Sequence, residues 1–118
     1  MTINHLNLCV PNVSATRDFF ERFLGFQCAR PNDSISILVD DSGFVLTMMK
    51  AKADDSMTYP GSFHVGFYVE EAEVHILYAR MRTAYVDVGD ISTLHRGTMF
   101  YVMAPGGVLI EICCPRVA

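Results

Sequence analysis

The chain has no cluster of Lys and Arg, no long apolar run, and no cysteine spacing of the zinc-binding kind. The first absence, with a net charge of −4, excludes a nucleic-acid backbone as the natural partner. The second excludes a bilayer-spanning helix, which needs about 20 consecutive apolar residues. A leader peptide would show an apolar core near the start, whereas strand-like alternation begins at Ile3. The four cysteines, Cys9, Cys28, Cys113 and Cys114, do not form the paired spacing of a zinc knuckle. Cys113 and Cys114 are adjacent and point to opposite faces of one strand. They read as reduced thiols of a cytoplasmic protein. Charge is sparse as well: 19% of residues are charged and 51% apolar, out of 118. That length holds one domain, or two small modules sharing a core, with apolar surface to spare for a cavity.

What is present is a repeat. Asn4-His5-Leu6-Asn7-Leu8-Cys9-Val10 and Phe63-His64-Val65-Gly66-Phe67-Tyr68-Val69 share one pattern, half a chain apart. In a strand, alternate side chains face opposite ways. Leu6, Leu8 and Val10 then form one face, against His5, Asn7 and Cys9. Val65, Phe67 and Val69 form the matching face, against His64, Gly66 and Tyr68. A histidine at the same place in each copy points to a shared ligand, most naturally a metal ion. The competing account is two strand histidines lining a polar cavity.

Each copy opens the same series of elements. In the first half, Asn12 or Ser14 can cap a helix over 14–24. Phe19, Phe20, Phe23 and Leu24 make its buried stripe, and Gly25 ends it. Strands follow near 26–30, 34–39 and 44–49, the last two joined by a turn at Asp40-Asp41-Ser42-Gly43. Residues 50–62 read as a linker. In the second half a helix spans 71–83, burying Val74, Leu77, Tyr78 and Met81, with acidic residues in its first turn. Strands are expected at 85–88, 98–103 and 108–113, with a Pro105-Gly106-Gly107 turn before the last. Along that strand Val108, Ile110 and Ile112 face the helices. Glu111 then lies on the other face, where a carboxylate inside an apolar strand must be paired or metal-bound.

Three motifs in this order resemble the vicinal oxygen chelate superfamily, which includes glyoxalase I, bleomycin-resistance proteins, extradiol dioxygenases and fosfomycin-resistance enzymes. They are Asn4-His5-Leu6 leading to Asp18-Phe19-Phe20-Glu21-Arg22-Phe23-Leu24-Gly25-Phe26; Phe63-His64-Val65-Gly66-Phe67; and Phe100-Tyr101-Val102-Met103-Ala104-Pro105-Gly106-Gly107-Val108-Leu109-Ile110-Glu111. The resemblance covers the whole chain. It implies an α+β fold of two paired βαβββ modules forming a half-open barrel with helices outside. The 118 residues would be a single domain, with modules at about 1–50 and 62–114 and the linker at 50–62. It places His5, His64 and Glu111 on metal-ligand positions for a divalent ion such as Fe, Mn, Zn or Ni. A fourth ligand, used by glyoxalase I, would fall at about Val45, which cannot ligate. Two histidines and one carboxylate leave positions open for a bidentate oxygen substrate. The implied function is a metal-dependent enzyme acting on a small oxygen-bearing metabolite or xenobiotic, of isomerase, lyase, thiol-transfer or dioxygenase type. The alternative is a metal-free protein that sequesters a small molecule, as bleomycin-resistance proteins do. A homodimer is expected, with modules paired within one chain or, as favoured here, exchanged between two.

The remaining candidates surround those ligands. Tyr101 and Glu111 are the candidate catalytic groups, Tyr101 as a proton or hydrogen-bond donor to a substrate oxygen or else as a wall residue. Asn7, Cys9, Tyr68, His95, Met99 and Tyr101 are the candidate substrate contacts. Cys9 is either nucleophilic or a small buried hydrophobe, and His95, with Arg96, lies in a loop that can close over a cavity. Met48, Met49, Met99 and Met103 read as a soft cavity wall or as core filler.

Overall fold

The computed structural model describes residues 1–52, 58–84, 86–93 and 97–116. Tyr85, His95 and Arg96 lie outside them. The chain divides into unit 1, Met1–Thr58, and unit 2, Tyr59–Ala118. It is an α+β fold of two mixed sheets, each with a helix packed on one face.

Unit 1 contains β1 (His5–Val10), α1 (Val13–Phe23), β2 (Gln27–Arg30), β3 (Ile35–Val39) and β4 (Val45–Lys50). Asn12 is the cap of α1: its side-chain oxygen accepts from the Ala15 amide at 2.9 Å. Leu24 closes the last turn onto the Phe20 carbonyl, and Gly25 follows at φ +72°, a conformation that suits a residue without Cβ. The sheet order is β1-β4-β3-β2, with β1 and β4 parallel and the other pairs antiparallel. A parallel pair needs a crossover, which here includes α1. Phe20 sits against Phe26 edge to face, and the buried set adds Leu8, Val10, Leu38, Leu46 and Met48. Each such side chain contributes about 1.5–3 kcal/mol by leaving water. Met48 is therefore core filler, whereas Met49 is exposed.

Unit 2 contains β5 (His64–Tyr68), α2 (Glu71–Thr83), β6 (Gly97–Ala104) and β7 (Val108–Pro115), in sheet order β5-β7-β6. Again the first and last strands, β5 and β7, pair in parallel and the hairpin is antiparallel. α2 buries Val74, Leu77 and Met81, and Tyr78 lies edge-on to Phe100. The strand expected at 85–88 is not a strand among the described residues. Among the described residues the segment after α2 meets β6 at isolated bridges, Val88 to Val102 and Ser92 to Met99. Four steps along one side answer three along the other, so a regular ladder cannot run through both bridges. Gly89 lies in the mismatch and donates to the Tyr101 carbonyl at 2.8 Å. Among the described residues no helix is long and apolar enough to cross a membrane.

Candidate functional site

In unit 2 the face of the sheet turned from α2 carries three aligned rows. His64 is opposite Leu109, Gly66 opposite Glu111, and Tyr68 opposite Cys113. β6 continues these rows with Met103, Tyr101 and Met99. The structure brings His64, Glu111 and Tyr101 together. His64 Nε2 is 3.3 Å from Glu111 Oε2, and the His64 ring meets Tyr101 edge to face at 5.8 Å. The Glu111 side chain is 7% exposed and that of His64 36%. Gly66 lies against the carboxylate: a Cβ at that position would stand 3.5 Å from Glu111 Oε2, in ordinary contact.

The tautomer of His64 follows from its other nitrogen. Nδ1 is 3.0 Å from the Ser62 carbonyl, so it carries a proton and donates, and in the neutral ring the lone pair lies on Nε2. His5 in unit 1 is arranged likewise, with Nδ1 donating to Asn4 Oδ1 at 2.7 Å. In the neutral form both histidines therefore present Nε2 as a donor atom to an electrophile.

Asn7 and Cys9 share the His5 face of β1, Asn7 exposed and Cys9 half-buried. Their neighbours on β4 correct one expectation. Val45 is opposite His5, as Leu109 is opposite His64, while Thr47 is opposite Asn7, as Glu111 is opposite Gly66. The unit 1 counterpart of Glu111 is therefore Thr47, two residues beyond Val45. Thr47 Oγ1 donates to Asn7 Oδ1 at 2.7 Å. Thr47 was absent from the sequence-derived candidates; the signal that identifies it is strand register.

The other candidates are dispersed. Met99 is buried opposite Cys113, tied to Ser92 through both backbone groups. Tyr68 is exposed and lines a cleft of about 450 Å³ with Val69, Glu70, Cys114 and Pro115, at the ends of β5 and β7. His95 lies outside the described residues. His75 makes a surface pair with Glu71 at 3.6 Å.

The donor set of unit 2 fits a divalent ion. Two donors each about 2.0–2.2 Å from one ion stand roughly 3 Å apart at ordinary ligand angles, and Nε2 and Oε2 are at 3.3 Å. Among the described residues no group of three or more His, Cys, Asp and Glu side chains is gathered for a metal.

The family model of the glyoxalase/bleomycin resistance protein/dioxygenase superfamily matches residues 2–112. The chain belongs to that superfamily. A structure described as a possible glyoxalase from Bacillus cereus is 37% identical, with a TM-score of 0.87 over 97% of this chain and 99% of that one. The lactoylglutathione lyase of Agrobacterium tumefaciens is 18% identical, with a TM-score of 0.75 over 95% and 92%. A mutant of the fosfomycin resistance protein FosX from Listeria monocytogenes, in complex with Mn(II) and a dihydroxypropylphosphonic acid, is 15% identical, with a TM-score of 0.82 over 98% and 94%. The last two share the fold. No curated protein matches the chain. Membership of this superfamily supports chemistry of the vicinal oxygen chelate type.

Proposed function

We propose that the protein is a divalent-metal-dependent enzyme acting on a small oxygen-bearing metabolite or xenobiotic, with His5, His64 and Glu111 as its metal ligands. The observation that carries this reading is the His64/Glu111 pair: a histidine with Nδ1 tied to a backbone carbonyl, its Nε2 at ligand spacing from a nearly buried carboxylate. His5 enters because its own Nδ1 is tied in the same way and it stands at the same place in the repeat. The ion, when bound, supplies Lewis acidity towards a substrate carbonyl or hydroxyl. Tyr101 stands beside His64 and can donate its phenol proton in a hydrogen bond to a substrate oxygen. Gly66 keeps that side of the sheet clear of side-chain bulk. The protein acts as a homodimer, in the exchanged arrangement.

One observation favours a second reading, a metal-free binding protein. At 3.3 Å, His64 and Glu111 are close enough to satisfy each other as an ion pair. Metal content separates the two readings. Protein purified without chelators should carry about one divalent ion per chain by elemental analysis. Glu111→Gln should lower metal affinity by at least about tenfold while the circular dichroism spectrum stays that of the wild type. Metal-free wild-type protein that binds no added Fe, Mn, Zn or Ni, with Glu111→Gln indistinguishable from it, leaves the sequestering reading in its place.

A further inference from the structure

The two units share a strand pair but differ at its two facing positions. In unit 2 a glycine faces a glutamate; in unit 1 Asn7 faces Thr47. Gly66 offers Glu111 no hydrogen-bonding side chain. Asn7 captures the Thr47 hydroxyl at 2.7 Å. The other acceptor within reach of that hydroxyl, the Leu6 carbonyl, is more distant at 3.5 Å. Oδ1 accepts from the hydroxyl, so Nδ2, which can only donate, is turned the other way. Among the described residues the Nδ2 group has no partner, and Asn7 is exposed on the face that carries His5. The hydroxyl of Thr47 is a poor ligand for a divalent ion beside imidazole and carboxylate. The position that holds a carboxylate in unit 2 thus serves a hydrogen bond in unit 1.

We propose that Thr47 is a positioning residue that fixes Asn7 as an N–H donor, making the His5 face of unit 1 a receptor for an acceptor oxygen of the bound molecule. The chemical class is a carbonyl, hydroxamate or carboxylate oxygen. A group with only donors finds no match at Nδ2. The proposal rests on the reading of His5 as part of the site, and it names the substrate chemistry that reading leaves open. Asn7 touches the bound molecule; Thr47 acts through Asn7.

The test uses the full chain with Zn(II), which is diamagnetic, and acetohydroxamate, a small ligand with two oxygens. The side-chain amide of Asn7 is assigned by its loss in Asn7→Ala and followed by ¹⁵N–¹H NMR. Wild type and Thr47→Ser should show Asn7 amide proton shifts displaced from those of a free asparagine side chain, and Thr47→Val shifts close to the free values. Acetohydroxamate should shift the Asn7 signals. Its dissociation constant should rise about three- to tenfold in Thr47→Val, the worth of one neutral hydrogen bond, and stay near wild type in Thr47→Ser. Zn(II) affinity should not change in either variant. The proposal is overturned if Thr47→Val matches wild type in both readouts, or if Thr47→Ser is as weak as Thr47→Val. Loss of Zn(II) affinity in Thr47→Val would also overturn it, since Thr47 would then serve the metal. A wild-type protein that binds no Zn(II) removes the metal reading instead. The Asn7 shift on adding acetohydroxamate to the metal-free protein then decides this proposal, and no shift overturns it.

Discussion

Gly66 and Gly97 show how differently one residue type is used. Gly66 has ordinary backbone geometry, and an added Cβ would make only normal contact with the Glu111 carboxylate. Gly97, at φ +119°, lies where a Cβ would run into the Cys114 carbonyl, and L side chains rarely adopt that conformation. Gly97→Ala should therefore destabilise the protein by more than about 1 kcal/mol, read from denaturant midpoints. Gly66→Ala should stay within about 1 kcal/mol of wild type. Equal losses in the two variants would show that crowding at Gly66 is underestimated. Composition reveals neither distinction, because both glycines lie in or beside apolar strands. What separates them is the partner strand: Glu111 opposite one, the β7 backbone pressed against the other.

Among the elements, α1 and the β3–β4 turn are held by local polar contacts with predictable consequences. Asn12→Ala removes the bond to the Ala15 amide and should lower stability by about 1 kcal/mol, with Asn12→Ser losing less. In the turn, Asp40 accepts from the Ser42 hydroxyl at 2.7 Å and from the Ser42 and Phe44 amides at 2.9 Å each. These bonds, that of the Ser42 hydroxyl foremost, hold the Asp40 carboxyl below its ordinary value of 3.8 against a smaller opposing effect of burial. A carboxylate with a lowered value in the folded state adds stability above its unfolded value and loses it as pH falls through the folded one. The advantage of wild type over Asp40→Asn should thus be complete near neutral pH and shrink below 3.8. Urea titrations across that range measure it, and an advantage that grew on acidification would reverse the assignment. The helix ends were legible in the sequence because caps are local, apart from the choice between Asn12 and Ser14. The segment at 85–88 was not, since the unequal spacing of its bridges to β6 is a property of two strands together.

At the scale of the molecule, among the described residues each unit leaves β1 or β5 with a partner on one side only in its own sheet. An edge of this kind favours association, and the proposed homodimer should appear as a dimer mass in sedimentation. In the exchanged arrangement His5 of one subunit serves a site with His64 and Glu111 of the other. Mixing His5→Ala chains with Glu111→Ala chains should then restore one metal per heterodimer, read by elemental analysis of the separated species. Heterodimers that form and stay metal-free would assign each site to a single chain.

The sequence by itself determined the faces, the helices and the family. Alternation assigned His5, Asn7 and His64 to the less apolar sides of their strands, and Glu111 to the face of β7 opposite Ile110 and Ile112. The motif order identified the superfamily before any coordinate was known. The tertiary structure decided register and company. It identified Thr47, two residues beyond Val45, as the unit 1 counterpart of Glu111, gave each histidine an oxygen for Nδ1, and put Tyr101 beside His64. The reason is the period of the strand. A slide of two residues leaves every side chain on its original face, so hydrophobic pattern cannot detect it, and only the hydrogen-bonded pairing of two strands fixes which residues meet.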